Sequence, residues 1–125
     1  MGLKGARVLL VEDTGELRDV FTTLLETEGA VVTATSTGRG ALECLAQGTF
    51  EIVLTDLGLP DIPGESVIRE IMATSQPRPR VVAVTGYGEF HVARARAAGA
   101  DAVLTKPVEW SVLRQDLEPT EATAA

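Results

Sequence analysis

Apolar residues fall into two kinds of segment along this chain. Short aliphatic or β-branched runs occupy Arg7–Val11, Val31–Thr35, Glu51–Thr55, Val81–Thr85 and Ala102–Thr105. Such short runs, with little polar alternation, predict strands buried on both faces, as in a parallel sheet. Between them apolar positions recur at helical spacing. Leu17, Val20, Phe21, Leu24 and Leu25 form one stripe, with Gly29 as its stop. Thr37 is placed to cap a helix carrying Ala41, Leu42 and Leu45, ended by Gly48. Val67, Ile68, Ile71 and Met72 give a third stripe, stopped before Pro77. The segment from Phe90 to Ala98 is weakly apolar, Ala-rich and ended by Gly99. Trp110, Leu113 and Leu117 give a fifth, short stripe before Pro119.

The pattern is β-α repeated five times, which predicts one α/β domain: a doubly wound parallel sheet with helices on both faces. Right-handed crossovers restrict its topology. The domain is expected over residues 1–118. Residues 119–125 are small, polar and proline-interrupted, and read as a tail or linker remnant. In sheets of this kind, ligands bind beyond the carboxyl ends of the strands.

Polar residues collect at those ends. The first run leads into Glu12 and Asp13, the third into Asp56, the fourth ends in Thr85, and the fifth leads into Lys106-Pro107. Each has an ordinary explanation taken alone. Glu12 and Asp13 suit the start of a helix, Asp56 an Asx-turn, Thr85 a strand, and Lys106 a snorkelling surface lysine. Their convergence on one edge of the sheet is what such explanations leave out.

Electrostatics narrows the chemistry. Two like charges ~4 Å apart repel by ~4 kcal/mol at an effective dielectric of ~20. Clustered carboxylates therefore need a raised pKa or a cation. Three carboxylates and one ammonium leave two net negative charges, which a divalent cation neutralises. All-oxygen ligation suits Mg²⁺, with Mn²⁺ as the alternative. Zinc is disfavoured, because the one histidine, His91, lies away from the cluster in the pattern and reads as an exposed helix residue. A hard cation beside a spare carboxylate, a hydroxyl and a lysine points to phosphoryl chemistry, with a carboxylate as nucleophile.

Composition changes the picture only by exclusion. The 125 residues carry 18 Asp+Glu against 11 Lys+Arg, a formal net charge of −7. That balance argues against direct nucleic-acid binding, which needs a basic face. The single cysteine, Cys44, rules out an intramolecular disulfide or a multi-Cys zinc site, and reads as a small buried residue. No apolar run approaches ~18 residues, so no membrane contact is expected of this domain. The first residues lack a signal-peptide core, and Ala6 stands where a myristoylation signal needs Ser or Thr. A cytoplasmic location is expected, including that of the cytoplasmic part of a membrane-anchored protein.

The residues also carry a family resemblance. The segments Val8-Leu9-Leu10-Val11-Glu12-Asp13, Leu54-Thr55-Asp56-Leu57-Gly58-Leu59-Pro60-Asp61-Ile62-Pro63-Gly64, Val84-Thr85-Gly86, Ala98-Gly99-Ala100-Asp101 and Lys106-Pro107 stand in order on the matching elements. Together they resemble the receiver domain of a two-component response regulator, over residues 6–117. The resemblance implies a flavodoxin-like (βα)5 fold with strand order 2-1-3-4-5. It makes Asp56 the phosphoacceptor, charged in a Mg²⁺-dependent transfer from a phosphohistidine donor. Asp13 would ligate the metal directly, Glu12 through water, and Gly58 by its main-chain carbonyl. Thr85 and Lys106 would contact the phosphoryl group, and Lys106-Pro107 would be a cis peptide. The acyl phosphate would later be lost by self-catalysed hydrolysis, so the domain is not a conventional enzyme.

Two positions depart from the family pattern. Receivers often carry Tyr or Phe three residues before the lysine, where this chain has Val103; Tyr87 is the residue that could take part of that switch role beside Thr85. Gly58 offers no side chain beside the acyl phosphate. The resemblance also implies partners. A histidine kinase or histidine phosphotransfer protein would dock on the first helix near Leu17. The readout face would be the fourth helix, fifth strand and fifth helix, displaying Arg94, Arg96, Trp110 and Arg114, and open to homodimerisation. With no output domain after residue 117, the sequence resembles the C-terminal receiver of a hybrid sensor histidine kinase, or a free-standing receiver.

Three other readings compete. A small-molecule aspartyl phosphatase would commonly carry Asp-x-Asp, but Gly58 stands two residues beyond Asp56. A nucleotide or flavin binder would need a glycine-rich phosphate loop. Gly38-x-Gly40 meets Glu43, and Gly86-x-Gly88 meets His91, where the third glycine belongs. A pseudo-receiver, binding partners without phosphorylation, would not need the full acidic set and lysine.

Overall fold

Each aliphatic run forms a strand and each apolar stripe a helix. The computed structural model describes residues 3–86 and 88–118. Tyr87 and residues 119–125 lie outside the described residues, and with them the switch role of Tyr87 and the tail. The elements are β1 (Arg7–Val11), α1 (Gly15–Thr27), β2 (Val31–Thr35), α2 (Gly38–Gln47), β3 (Ile52–Asp56), α3 (Gly64–Thr74), β4 (Arg80–Thr85), α4 (Glu89–Ala98), β5 (Ala102–Thr105) and α5 (Trp110–Leu117). The strands pair in parallel in the order β2-β1-β3-β4-β5. This is the flavodoxin-like order that the resemblance implies.

Period-two alternation divides the core into two layers. Val8, Leu10, Ile52, Leu54, Val82 and Val84 face a layer completed by Leu25 of α1 and Leu113 and Leu117 of α5, with Trp110 packed against it. Leu9, Val11, Val53, Val81 and Ala83 face the opposite layer, completed by Ala41 of α2, Val67, Ile68 and Ile71 of α3, and Ala95 and Ala98 of α4. Thr37 caps α2 as expected, its hydroxyl accepting from the Gly40 amide at 2.9 Å. α4 contributes only small alanines to the core among its described side chains, so little apolar area ties it down.

Several expectations need correction. β2 is an edge strand and is not buried on both faces; Val31 is 59% exposed. β5 is the other edge, and only Ala102 of it is buried. Leu17 and Val20 were placed in the buried stripe of α1, yet both are exposed. The chain's fourth and eighth α1 positions that do point inward are Phe21 and Leu25. His91 is half-buried rather than exposed.

The third strand is shifted by one residue from Glu51–Thr55. It runs on through Asp56 because Asp56 pairs in register with Val84 and the Leu57 amide donates to the Val84 carbonyl at 3.0 Å. At the other end Glu51 turns its side chain onto Arg7, accepting from the Arg7 amide at 2.6 Å and from its guanidinium at 2.5 Å.

Candidate functional site

Four parallel strands deliver the site. β1 ends into Glu12 and Asp13, β3 ends at Asp56, β4 ends at Thr85, and Lys106 follows β5. Thr85 pairs in register with Thr105, and its carbonyl accepts from the Lys106 amide at 2.8 Å, which carries the lysine to the sheet's carboxyl edge. Both Lys106-Pro107 and Gln76-Pro77 peptides are cis. Asp56, Glu12 and Thr85 are buried, while Asp13 is exposed.

The Asp56 carboxylate is held at both oxygens. Oδ1 accepts from the Gly58 amide at 2.9 Å. Oδ2 accepts from Lys106 Nζ at 2.7 Å. The lysine side chain remains about a third exposed, so it reaches the acid from the solvent side. Carboxylate oxygens from Glu12, Asp13 and Asp56 all lie within 4.8 Å of one another. Glu12 Oε2 also accepts from the Thr14 amide at 3.0 Å, which fixes its rotamer.

The charges perturb one another. Burial pushes the Glu12 carboxyl above its usual range, and the nearby Asp56 charge pushes the same way; the Thr14 amide and Lys106 only partly oppose them. Burial works against the Lys106 charge, but the hydrogen bond from Asp56 and the charges of Asp56, Glu12 and Asp13 outweigh it. Its pKa is raised, and the ammonium is secure at neutral pH.

The donor set fits a hard divalent cation. Three carboxylates converge with no histidine or cysteine among them, the oxygen-only ligation that magnesium or manganese accepts. Zinc chemistry finds no nitrogen or sulfur ligand in this cluster. Cavities of about 430 and 480 Å³ open instead near Phe50 and Pro77, at the amino ends of the strands. They are away from the carboxylates, and the charge cluster locates the site better than cavity size does.

The family model for the response regulator receiver domain matches residues 8–118. The chain belongs to this family. It is 37% identical over 111 residues to the aerobic respiration control sensor protein ArcB of Escherichia coli K12, an alignment covering 86% of this chain. The chain spans only 14% of ArcB's own length. Among solved structures it is similar to the receiver domain of sensor histidine kinase PA1611 from Pseudomonas aeruginosa PAO1. The two share 29% identity and a TM-score of 0.82, covering 90% of this chain and 94% of that one. That structure holds a magnesium ion in its active-site cleft. A response regulator protein from Burkholderia pseudomallei, 25% identical with a TM-score of 0.83, carries a phosphorylated aspartic acid and a calcium ion; the match covers 90% of this chain and 66% of that one.

Receiver domains work with histidine kinases or phosphotransfer proteins in phosphorelays. Among the described residues, no helix of this receiver is long and apolar enough to cross a membrane.

The structure brings Glu12, Asp13, Asp56, Thr85 and Lys106 to one edge and puts Gly58 on Asp56. Val103 points away from the lysine's strand neighbours Ala102 and Leu104, into the layer shared with α3 and α4. Of the four side chains assigned to the readout face, Arg94 and Arg96 are exposed on α4. Trp110 packs on the core and Arg114 turns to Glu28 beyond α1, with Nε donating at 2.8 Å. Three further residues support the site. Arg18 Nη1 donates to the Glu12 carbonyl at 2.9 Å. Glu65 is buried at the first turn of α3 and faces Arg94 at 3.7 Å. Asp61 reaches α2 from the loop after β3. A buried glutamate in the third stripe leaves no mark in hydropathy, because its partner lies on another helix.

Proposed function

We propose that this receiver is a phosphorylation switch in which Asp56 accepts a phosphoryl group from a phosphohistidine. The observation that carries it is the double hold on Asp56, Gly58 on one oxygen and Lys106 on the other, within a metal-competent acidic cluster. Magnesium and phosphoaspartate in related receivers support the same reading.

Asp56 supplies the nucleophile. The donor's P–N bond breaks as an Asp56 oxygen bonds to phosphorus, and the leaving imidazole takes up a proton. A cation held by Asp13, Asp56, the Gly58 carbonyl and, through water, Glu12 would neutralise phosphoryl charge. Lys106, now on Asp56 Oδ2, would move its ammonium to a phosphoryl oxygen, and the Thr85 hydroxyl would donate to another. In the return reaction water attacks phosphorus, inorganic phosphate leaves and the carboxylate is restored.

The donor protein, a histidine kinase or phosphotransfer protein, would dock over α1, where Leu17 and Val20 are exposed. Phosphorylation would bias two arrangements of the face built by α4, β5 and α5, a surface also suited to self-association. Val103 gives that switch an aliphatic residue where many receivers have an aromatic one. The domain would act as the receiver of a hybrid kinase or as a free-standing regulator, in the cytoplasm.

The test is incubation with Mg²⁺ and acetyl phosphate, read by intact mass. One phosphoryl adduct per chain is expected, labile to alkali and hydroxylamine and absent from Asp56→Ala. No adduct on the unaltered chain would leave a phosphorylation-independent binding module. Release of many phosphates per chain from phosphoesters would make it a phosphatase.

A further inference from the structure

The loop between β3 and α3 is tied at two places. At its base the Gly64 amide donates to the Leu57 carbonyl at 3.0 Å, closing residues 57–64 into an arc. A Cβ on Gly64 would stand 2.6 Å from both the Asp56 carbonyl oxygen and the Leu57 Cα, so the arc's two ends touch. At its tip the Asp61 carboxylate straddles the start of α2. Oδ1 accepts from the Gly38 amide and Oδ2 from the Arg39 amide, each at 2.9 Å.

The grip is tight on both sides. A Cβ on Gly38 would stand 2.3 Å from Ile62 Cγ1, so the loop lies directly on the helix. The two amides belong to the first turn of α2, where no intrahelical carbonyl can reach them. The helix also has a cap of its own, Thr37, whose hydroxyl serves the Gly40 amide. Asp61 therefore does more than the local cap requires: it joins two loops, 23 residues apart in sequence, at the carboxyl edge of the sheet.

Gly58 lies between the two ties. Its amide is the group that holds Asp56 Oδ1. Glycine has no side chain to pack, so nothing of its own fixes Gly58 in place. We infer that Asp61 is a positioning residue: by clamping the arc to α2 it holds Gly58 against the Asp56 carboxylate, and so sets how well the acidic cluster binds a divalent cation. The inference rests on the cation reading of the Glu12, Asp13 and Asp56 cluster.

The test compares the unaltered chain with Asp61→Ala and Asp61→Asn, measuring Mg²⁺ affinity by calorimetry and thermal stability on the same samples. Asp61→Ala is expected to weaken Mg²⁺ binding about tenfold, the lower end of the cost of removing a partner that orients a metal site. Asp61→Asn, which keeps one acceptor for the α2 amides, should recover most of it. If Asp61→Ala lowers the melting temperature while Mg²⁺ affinity stays at the unaltered value, Asp61 is a helix cap and the inference is wrong. If Asp61→Ala fails to fold, Asp61→Asn decides: it must bind Mg²⁺ more tightly than a variant with Thr as the residue, Asp61→Thr, which reaches one amide at most. Equal affinities overturn the inference. If the unaltered chain binds no Mg²⁺, the cation reading fails instead, which is a separate result.

Discussion

Arg94 Nε on α4 lies 3.7 Å from Oε2 of Glu65, a carboxylate buried at the first turn of α3. Glu65 follows Gly64, whose backbone rests on Asp56. The contact thus joins the phosphoacceptor loop to the helix that has the least apolar anchoring. Arg94 is nearly half exposed, so solvent screens the pair, and it should contribute well under about 1 kcal/mol to stability. Its effect should appear locally. In Arg94→Ala, amide exchange of α4 should quicken relative to α3, with a shift of less than a few degrees in melting temperature. Unchanged exchange in α4 would remove the pair from any role in holding that helix.

Removing Lys106 should separate metal binding from phosphoryl transfer. Its ammonium occupies Asp56 Oδ2 and opposes a cation. Lys106→Ala should therefore tighten Mg²⁺ binding severalfold, since attraction between close charges of this kind amounts to a few kcal/mol before solvent screening. The rate of adduct formation from acetyl phosphate should fall by about 10²-fold, the scale of losing one charge-stabilising group. Calorimetry and intact mass measure the two effects; weaker Mg²⁺ binding would show that Lys106 organises the acids rather than competing for them.

Glu12 should be a liability in the metal-free protein. Its raised pKa means that the folded chain favours its protonated form. That stabilising contribution is complete below the unfolded pKa and is lost as pH rises through the raised folded value. Glu12→Gln should accordingly raise the melting temperature near pH 7 without metal, yet weaken Mg²⁺ binding about 10-fold or more. A lower melting temperature would show that the Thr14 amide gains more from the charge than burial costs.

Acid should act with the opposite sign through Glu28 and Glu51. The Arg114 hydrogen bond lowers the Glu28 pKa, and the Arg7 hydrogen bond lowers that of Glu51. Each contributes stability above the unfolded carboxylate pKa and loses it as pH falls through its lowered folded value. Glu51→Gln should flatten the decline of urea midpoint below about pH 4.5, the usual glutamate range, more than a change at exposed Glu26 does. Parallel declines in the two variants would contradict the assignment.

Gly64→Ala should be costly despite alanine's better helix propensity. The methyl would meet backbone at 2.6 Å, which cannot rotate away. Overpacking of this kind costs about 1–3 kcal/mol, more than the ~1 kcal/mol gained in a helix. Urea unfolding should register the difference, and adduct formation on Asp56 should slow with it.

Most of the architecture was legible because the three central strands are buried on both faces, and their aliphatic runs say so directly. The edges were not legible. Val31 sits in a run as β-branched as any, and nothing in that run tells that β2 has a neighbour on one side only. Leu17 and Val20 fit the spacing of the α1 stripe but fall on its outer margin, because the sheet covers a narrower arc of the helix than the spacing allows. For the site, strand-end placement drew together Glu12, Asp13, Asp56, Thr85 and Lys106. The contacts of Asp61 with Gly38 and of Glu65 with Arg94 escaped notice, since each depends on how two loops or helices meet.

The four strand ends that build the site also set when it can exist. Asp56 and Lys106 are separated by 50 positions, and Glu12 enters from the first strand while Lys106 follows the last. Long-range parallel pairing of this kind closes late in folding. During synthesis, the acceptor aspartate would emerge from the ribosome well before its lysine. A nascent chain therefore presents an ordinary carboxylate, and competence to receive a signal arrives only with completion of the sheet. A half-made receiver would be silent, so the pathway is spared messages from unfinished copies.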